Sequence, residues 1–259
     1  MSKQILAHLS RADAVLAGVI RAVGPCGLEA RGTDEPFQAL AHAIAHQQLN
    51  GIAANTILKR LVAGCGQGSF PTPHMVLAAS TASLRAAGFS FAKVAALRDL
   101  AEKTVAAAVV PDAAALALLA DEDIITRLTQ VRGIGRWTVE MLLMFHLGRP
   151  DVLPVDDFGV RAGFRAAYGL RKMPAPKALR SFGERWKPYR STAAWYLWRA
   201  LELQRAGLLP APAERIRLPR IRKPRRAARP ASRKARAQRA PARPVRKSGR
   251  RRARGRGKN

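Results

Sequence analysis

The sequence predicts an all-α protein, and three observations carry that prediction. Apolar residues recur at helical spacing in stretch after stretch, β-type alternation is nearly absent, and Gly/Pro punctuation separates the helical runs. A chain of 259 residues that is 48% hydrophobic buries a sizeable core, as one large domain or two small ones. No internal repeat is visible.

Taken in order, Arg11 to Val23 reads as the first helix, followed by the connection Gly24-Pro25-Cys26-Gly27. From Pro36, residues Phe37, Leu40, Ala41, Ile44 and Ala45 share one face of a second helix. Gln47, Gln48, Leu49 and Asn50 interrupt it, and Ile52 to Val62 resumes. Thr81–Ala87 is short and ends at Gly88. Phe91–Val109 carries Val94, Leu97, Leu100, Ala101 and Val105 on one face, and Pro111 stops it. Asp121 is expected to cap a helix through Leu128, and Trp137–Leu147 is the next one. Beyond Phe158 come a helix to Tyr168, a short one near Ala175–Trp186 and a long one over Ser191–Arg205.

The formal charge of +29 is unevenly distributed. Residues 211–259 hold 21 Lys/Arg against one acid, Glu214, so they account for +20. This stretch contains Pro, Ala, Arg and Lys but no aromatic residue, and cannot bury enough apolar surface to offset the entropy of ordering. We read 1–210 as the folded domain and 211–259 as a disordered arm for nonspecific binding of polyphosphate, rewarded by counterion release. Nucleic acid is therefore the expected partner, ahead of an anionic membrane surface. Two cysteines, Cys26 and Cys65, make no disulfide framework and suit a reducing compartment. The N-terminus lacks a secretory pattern, and no apolar run approaches the roughly 20 residues of a membrane span. The expectation is a soluble, intracellular monomer with no membrane contact. It would be cytoplasmic and nucleoid-associated, or nuclear in a eukaryotic cell.

The stretch Leu128–Phe158, LTQVRGIGRWTVEMLLMFHLGRPDVLPVDDF, concentrates the chemistry. Gly133 and Gly135 bracket Ile134 in a tight hairpin between two helices, a motif spanning about 121–147. Amides at the start of the second helix lack intrahelical partners and carry the positive end of its dipole. They form an anion site that grips a phosphate without reading a base, and Arg132 and Arg136 flank it. Two carboxylates, Asp156 and Asp157, then precede another helix, where an Asp ordinarily serves as N-cap.

With LTQVRGIGRWT followed by VLPVDDFGVR, the chain resembles the helix-hairpin-helix (HhH-GPD) DNA glycosylases, specifically the DNA-3-methyladenine glycosylase II type in a short form. The likeness extends through PFQALAHAIAHQQLNGIAANTILKRL, FPTPHMVLAASTASLRAAGFSFAKVAALRDLA and ERWKPYRSTAAWYLW, covering roughly Pro36 to Arg205. It leaves no room for the β-rich N-terminal domain of some longer members. The fold it implies is two helical subdomains with the hairpin motif and an active-site cleft between them. The implied activity is excision of alkylated purines, such as 3-methyladenine and 7-methylguanine, from duplex DNA in base excision repair.

By this resemblance the catalytic acid is Asp157, after Pro154-Val155, with Asp156 capping the helix or orienting its neighbour. A carboxylate beneath the sugar stabilises the oxocarbenium charge and orients or deprotonates water. No second carboxylate stands out to protonate the leaving base, which favours cationic lesions that depart without one. Members that also cut the strand carry a lysine where this chain has Trp137, and no Lys lies in 104–171. Monofunctional hydrolysis that leaves an abasic site is expected. The base pocket would take Trp137 and Trp198, Phe158 beside the acid, and Met141 where some relatives have Tyr, with indoles attracting a cationic base. Gln47, Gln48 and Leu49 match the loop that fills the gap left by the flipped nucleotide, with Gln48 the better wedge. Gly88-Phe89-Ser90 resembles a second DNA-facing loop.

No cofactor is required on this reading. The family's hairpin often holds a monovalent cation, Na+ or K+, on backbone carbonyls that map to Thr129, Val131 and Ile134. His42 and His46 share a face at metal-ligand spacing, but position 43 is not Glu and no third ligand is apparent, so a packed or exposed pair is expected. Two other readings stay open. One is a non-catalytic helix-hairpin-helix DNA-binding protein; the other is a monofunctional glycosylase for hypoxanthine, ethenoadenine or a mismatched base.

Overall fold

In a computed structural model, described over residues 3–30, 35–106, 109–214, 216 and 218, every regular element is helical. The helices are α1 (Lys3–Ala12), α2 (Ala14–Val23), α3 (Pro36–His46), α4 (Gly51–Cys65), α5 (Pro73–Ala78), α6 (Thr81–Ala86) and α7 (Phe91–Val105). They continue as α8 (Ala113–Ala117), α9 (Asp121–Leu128), α10 (Arg136–Phe145), α11 (Phe158–Ala167), α12 (Pro176–Gly183), a 3-10 turn over Glu184–Trp186, and α13 (Arg190–Arg205).

The packing sorts these helices into two groups. In one, α7 gathers α3, α5 and α6, α3 also meets α4, and the α9–α10 pair joins through α10 and α3. In the other, α13 packs along α11 and on α2, with α1, α12 and the 3-10 turn completing it. The first two and the last helices therefore build one subdomain while the helices between them build the other. No helix among the described residues is long and apolar enough to cross a membrane.

Several elements differ from expectation, each for a local reason. The helix expected over Arg11–Val23 begins only at Ala14, behind an unexpected α1, and Asp13 between them caps α2 by accepting from the Leu16 amide at 3.0 Å. That carboxylate is buried and also takes the Tyr168 hydroxyl and, at 2.9 Å, Trp186 Nε1, so distant partners hold the break in place. Short α5 and α8 were not expected, although Thr72 before Pro73 and Asp112 before Ala113 are their capping signals. Helix α7 ends at Val105 rather than Val109. Asp121 is the first residue of α9 and not its cap; Ala120 holds that position, and Asp121 pairs with Arg149 at 3.4 Å. At the other end, Leu209, Ile216 and Leu218 are half-buried on the core, beyond the expected boundary at 210. The unit that includes them runs from Met1 to Ile221; of the arm expected over 211–259, only residues 211–214, 216 and 218 are among the described residues.

Two contacts matter most for the site. Along α11, a Cβ on Gly163 would lie 1.8 Å from the Leu197 carbonyl oxygen of α13, so only glycine lets the two backbones approach this closely. Across the hairpin, Arg136 of α10 pairs with Glu122 of α9 and, at 3.1 Å, with Glu140 one turn further along α10. Glu140 is buried. Burial pushes its carboxyl up to about 7, against the opposing pull of Arg136 and with a further push from the nearby Asp156 charge.

Gly163→Ala is expected to cost about 3 kcal/mol through overpacking, read as a lower midpoint in thermal unfolding. For Glu140 the raised value means that the folded state binds the proton more tightly than the unfolded chain. Its contribution is full below about 4.5 and lost as pH rises through about 7. Glu140→Gln should remove that decline, on the order of 3 kcal/mol, from a plot of stability against pH. An unchanged slope between pH 5 and 8 would show that Glu140 is not its source.

Candidate active site and DNA interface

Asp157 is at once the N-cap of α11 and the focus of two tryptophans. Its Oδ1 accepts from the Val160 amide at 2.7 Å and from Trp198 Nε1 at 2.8 Å. Its Oδ2 accepts from Trp137 Nε1, also at 2.8 Å. A carboxylate has about four acceptor sites, so three donors fix its plane and leave room for one more. The positive end of α11 favours the negative charge. Asp156 was expected to cap the helix or orient its neighbour, but the structure gives the cap to Asp157. Asp156 is exposed, and its charge bears on Glu140.

The placement of Trp198 depends on a residue that sequence reasoning did not single out. A Cβ at Gly159 would sit 2.6 Å from Trp198 Cδ1 and 3.2 Å from Asp157 Oδ1. Glycine at 159 and again at 163, one turn on, lets α13 press against α11 and lay the indole on the acid. The Trp198 ring also stacks on Phe145, with centroids 5.7 Å apart. Trp198 was expected as a pocket wall. Phe145 takes that place, and Trp198 backs it while holding the carboxylate.

Between α3 and α10 lies a cavity of about 570 Å³, within the range of small-ligand sites. Ala39, His42 and His46 line it from α3, and Trp137, Met141 and Phe145 from α10. Trp137, 48% exposed, borders the cavity while its N–H engages Asp157, so one residue joins the cavity to the acid. Met141 is on the cavity wall. Phe158 is 67% exposed and is not among the lining residues. Thr138, Phe145 and His146 do line the cavity and were not foreseen, because apolar helical positions look alike until a partner helix is placed.

The two loops expected to face DNA lie side by side, and both are braced from behind. Gln47 Nε2 donates to the Gly133 carbonyl at 2.8 Å, which ties its loop to the hairpin. Lys93 donates to the Ala45 and Gln47 carbonyls at 2.8 and 2.7 Å, and burial pushes its ammonium down. Gln48 is exposed with φ of 58°, a left-handed conformation that costs energy outside glycine. Gln48, Leu49, Gly88 and Ser90 border a second hollow of about 470 Å³. Within the Gly88-Phe89-Ser90 segment only the flanks face outward. Phe89 is fully buried and anchors the loop.

The hairpin turn needs glycine at 133, where φ is 78°, and Gly135 caps α10. Val131 and Ile134 are buried beneath it. Asp99 of α7 accepts from the Arg132 amide at 2.7 Å and from Lys103, which also reaches the Gln130 carbonyl. The hairpin is thereby clamped to α7. Of the two arginines expected to meet phosphate, Arg132 is exposed, whereas Arg136 is spent on Glu122 and Glu140. Among the described residues no group of three His, Cys, Asp or Glu side chains is arranged for a metal ion.

Comparison with known proteins gives the family and the fold. The chain is 42% identical over 169 residues to DNA-3-methyladenine glycosylase 1 of Schizosaccharomyces pombe, covering 65% of this chain and 74% of that one. It is 31% identical to the alkylbase DNA glycosidase-like protein mag2 of the same organism, over 77% and 94% of the two chains. Among solved structures, the S. pombe 3-methyladenine DNA glycosylase in complex with abasic DNA superimposes with a TM-score of 0.67 at 38% identity, over 76% of this chain and 96% of that one. The DNA-3-methyladenine glycosidase of Bacillus halodurans gives 0.71 at 32%, over 79% and 92%. Residues 41–188 match the HhH-GPD base excision DNA repair superfamily, and this chain belongs to it.

Proposed function

We propose that this enzyme excises alkylated purines of the 3-methyladenine and 7-methylguanine class from double-stranded DNA by monofunctional hydrolysis, leaving an abasic site. One observation carries the assignment: a carboxylate, Asp157, fixed by two indole N–H groups at the edge of a base-sized cavity. The flipped base enters between α3 and α10, and Gln48 and Leu49 occupy the gap in the stack. Asp157 then faces the deoxyribose. Its charge stabilises the oxocarbenium-like transition state, and its remaining acceptor site orients water.

The cavity wall has no Asp or Glu among the described residues, so a departing base receives no proton from it. A cationic alkylpurine needs none. Trp137 stands where strand-cutting relatives present an amine, and residues 104–171 contain no Lys, so the Schiff-base route is closed. The exposed start of α10, with Arg132, grips phosphate without reading sequence. The Thr129, Val131 and Ile134 carbonyls are neutral, hard oxygen donors of the kind Na+ or K+ takes. The Val131 oxygen also accepts from the Ile134 amide at 3.0 Å. A cation there would add positive charge beside the gripped phosphate. We place the protein as a monomer whose segment 222–259, with 18 Lys/Arg and no acid, adds nonspecific affinity for DNA.

Single-turnover release of 7-methylguanine and 3-methyladenine from methylated duplex tests the assignment. Asp157→Asn keeps a capping side chain but loses the charge, so the rate should fall by about 100-fold or more with the fold retained. Release at the wild-type rate would remove Asp157 from the mechanism. Deleting 222–259 should weaken DNA binding and flatten its dependence on salt while leaving the saturated single-turnover rate unchanged. A collapse of that rate would mean that the segment acts in the chemical step.

A further inference from the structure

The histidines of the cavity have no part in the chemistry above. His42 and His46 of α3 line one side, and His146, the residue after α10, lines it as well. His42 also packs against Phe70, with ring centroids 5.1 Å apart. Their spacing suggests a metal, yet no three-ligand group exists among the described residues. These imidazoles face the space that receives a base.

Among the described residues no Asp, Glu, Lys or Arg lines that space. The charges on surrounding elements are mostly committed elsewhere. Lys93 of α7 is bonded to the Ala45 and Gln47 carbonyls at the end of α3. On α10, Arg136 pairs with Glu140 and with Glu122 of α9. Arg149, beyond His146, pairs with Asp121. Lys59 of α4 borders a separate hollow that it shares with His42. Asp157 touches the lining through Trp137. The charge state of the cavity wall is therefore set by its histidines. Imidazole is the side chain that changes charge between about pH 5 and 8.

We infer that His46 and His146, with His42 beside them, act as a charge gate on the cavity: neutral imidazoles admit a cationic alkylpurine, and imidazolium turns it away. The inference rests on the glycosylase reading of the same site. Two like charges several Å apart, at an effective dielectric of about 20, repel strongly enough to change occupancy by about tenfold or more.

The test compares the full-length wild type with His46→Gln/His146→Gln between pH 8 and 5.5. Single-turnover release of 7-methylguanine, a cationic lesion, is measured beside affinity for a duplex holding an uncharged tetrahydrofuran abasic analogue. A pH effect common to both proteins cancels in the wild-type-to-variant rate ratio, which isolates the histidines. That ratio should fall at least tenfold as pH drops, while the corresponding ratio of abasic-duplex affinities stays flat. A rate ratio independent of pH, or one that the affinity ratio follows, overturns the gate. If the double variant fails to fold, as judged by circular dichroism, His46→Gln alone carries the comparison, because His46 is exposed. Absence of 7-methylguanine release by the wild type at every pH would instead reject the glycosylase reading, and the gate with it.

Discussion

Two glycines on α11 decide whether this molecule has a site at all. A Cβ at Gly163 would enter the backbone of α13, and one at Gly159 would enter the Trp198 ring. Their absence brings the helices close enough for Trp198 to donate to Asp157 from below while the α11 amides cap the same carboxylate. Partly burying an anion among neutral donors costs little when they satisfy most of its acceptor sites, and here three N–H groups do so and leave one site open. The acid is thus oriented before any substrate arrives, which is the condition under which a fixed charge lowers a barrier most.

The same economy runs through the neighbouring loops. The 47–50 loop, the hairpin and α7 are joined by Gln47 to Gly133, Lys93 to the Ala45 and Gln47 carbonyls, and Asp99 to the Arg132 amide. Each bond ends on backbone, so it sets the path of a loop rather than one side chain. Gln48 is left exposed in a left-handed conformation, and the surrounding bonds hold that strain. Arg136 shows a cation diverted from the surface. By clamping α9 to α10 it sets the angle at which the hairpin amides and Trp137 are presented. The placement of the hairpin and that of the Trp137 indole are therefore coupled through one guanidinium.

Much of this was legible in the chain. Helical spacing and capping residues place most helices, and Gly133-Ile134-Gly135 marks the hairpin because only glycine takes such a backbone cheaply. Boundaries failed where tertiary contacts overrode local signals. Asp13 splits a helix because Tyr168 and Trp186 claim its carboxylate from more than 150 residues away. Residues 216 and 218 looked like part of a charged arm, yet Ile216 and Leu218 find apolar surface on the core. The aromatic assignments show the same limit. Trp137, Trp198, Phe158 and Met141 were equivalent as candidates, and only packing separates a wall residue from a support and from one in solvent.

The sequence by itself determined the helical class, the Gly133-Ile134-Gly135 hairpin, the paired carboxylates at 156 and 157 and the tryptophan at 137. These follow from local backbone demands and from residue chemistry that no packing can alter. The tertiary structure alone decided that Trp137 and Trp198 point their N–H groups at Asp157, that Gly159 makes room for one of them, and that three histidines share a cavity wall. These relations join residues tens of positions apart. Such distances are set by which helix faces meet, and one-dimensional spacing does not encode them.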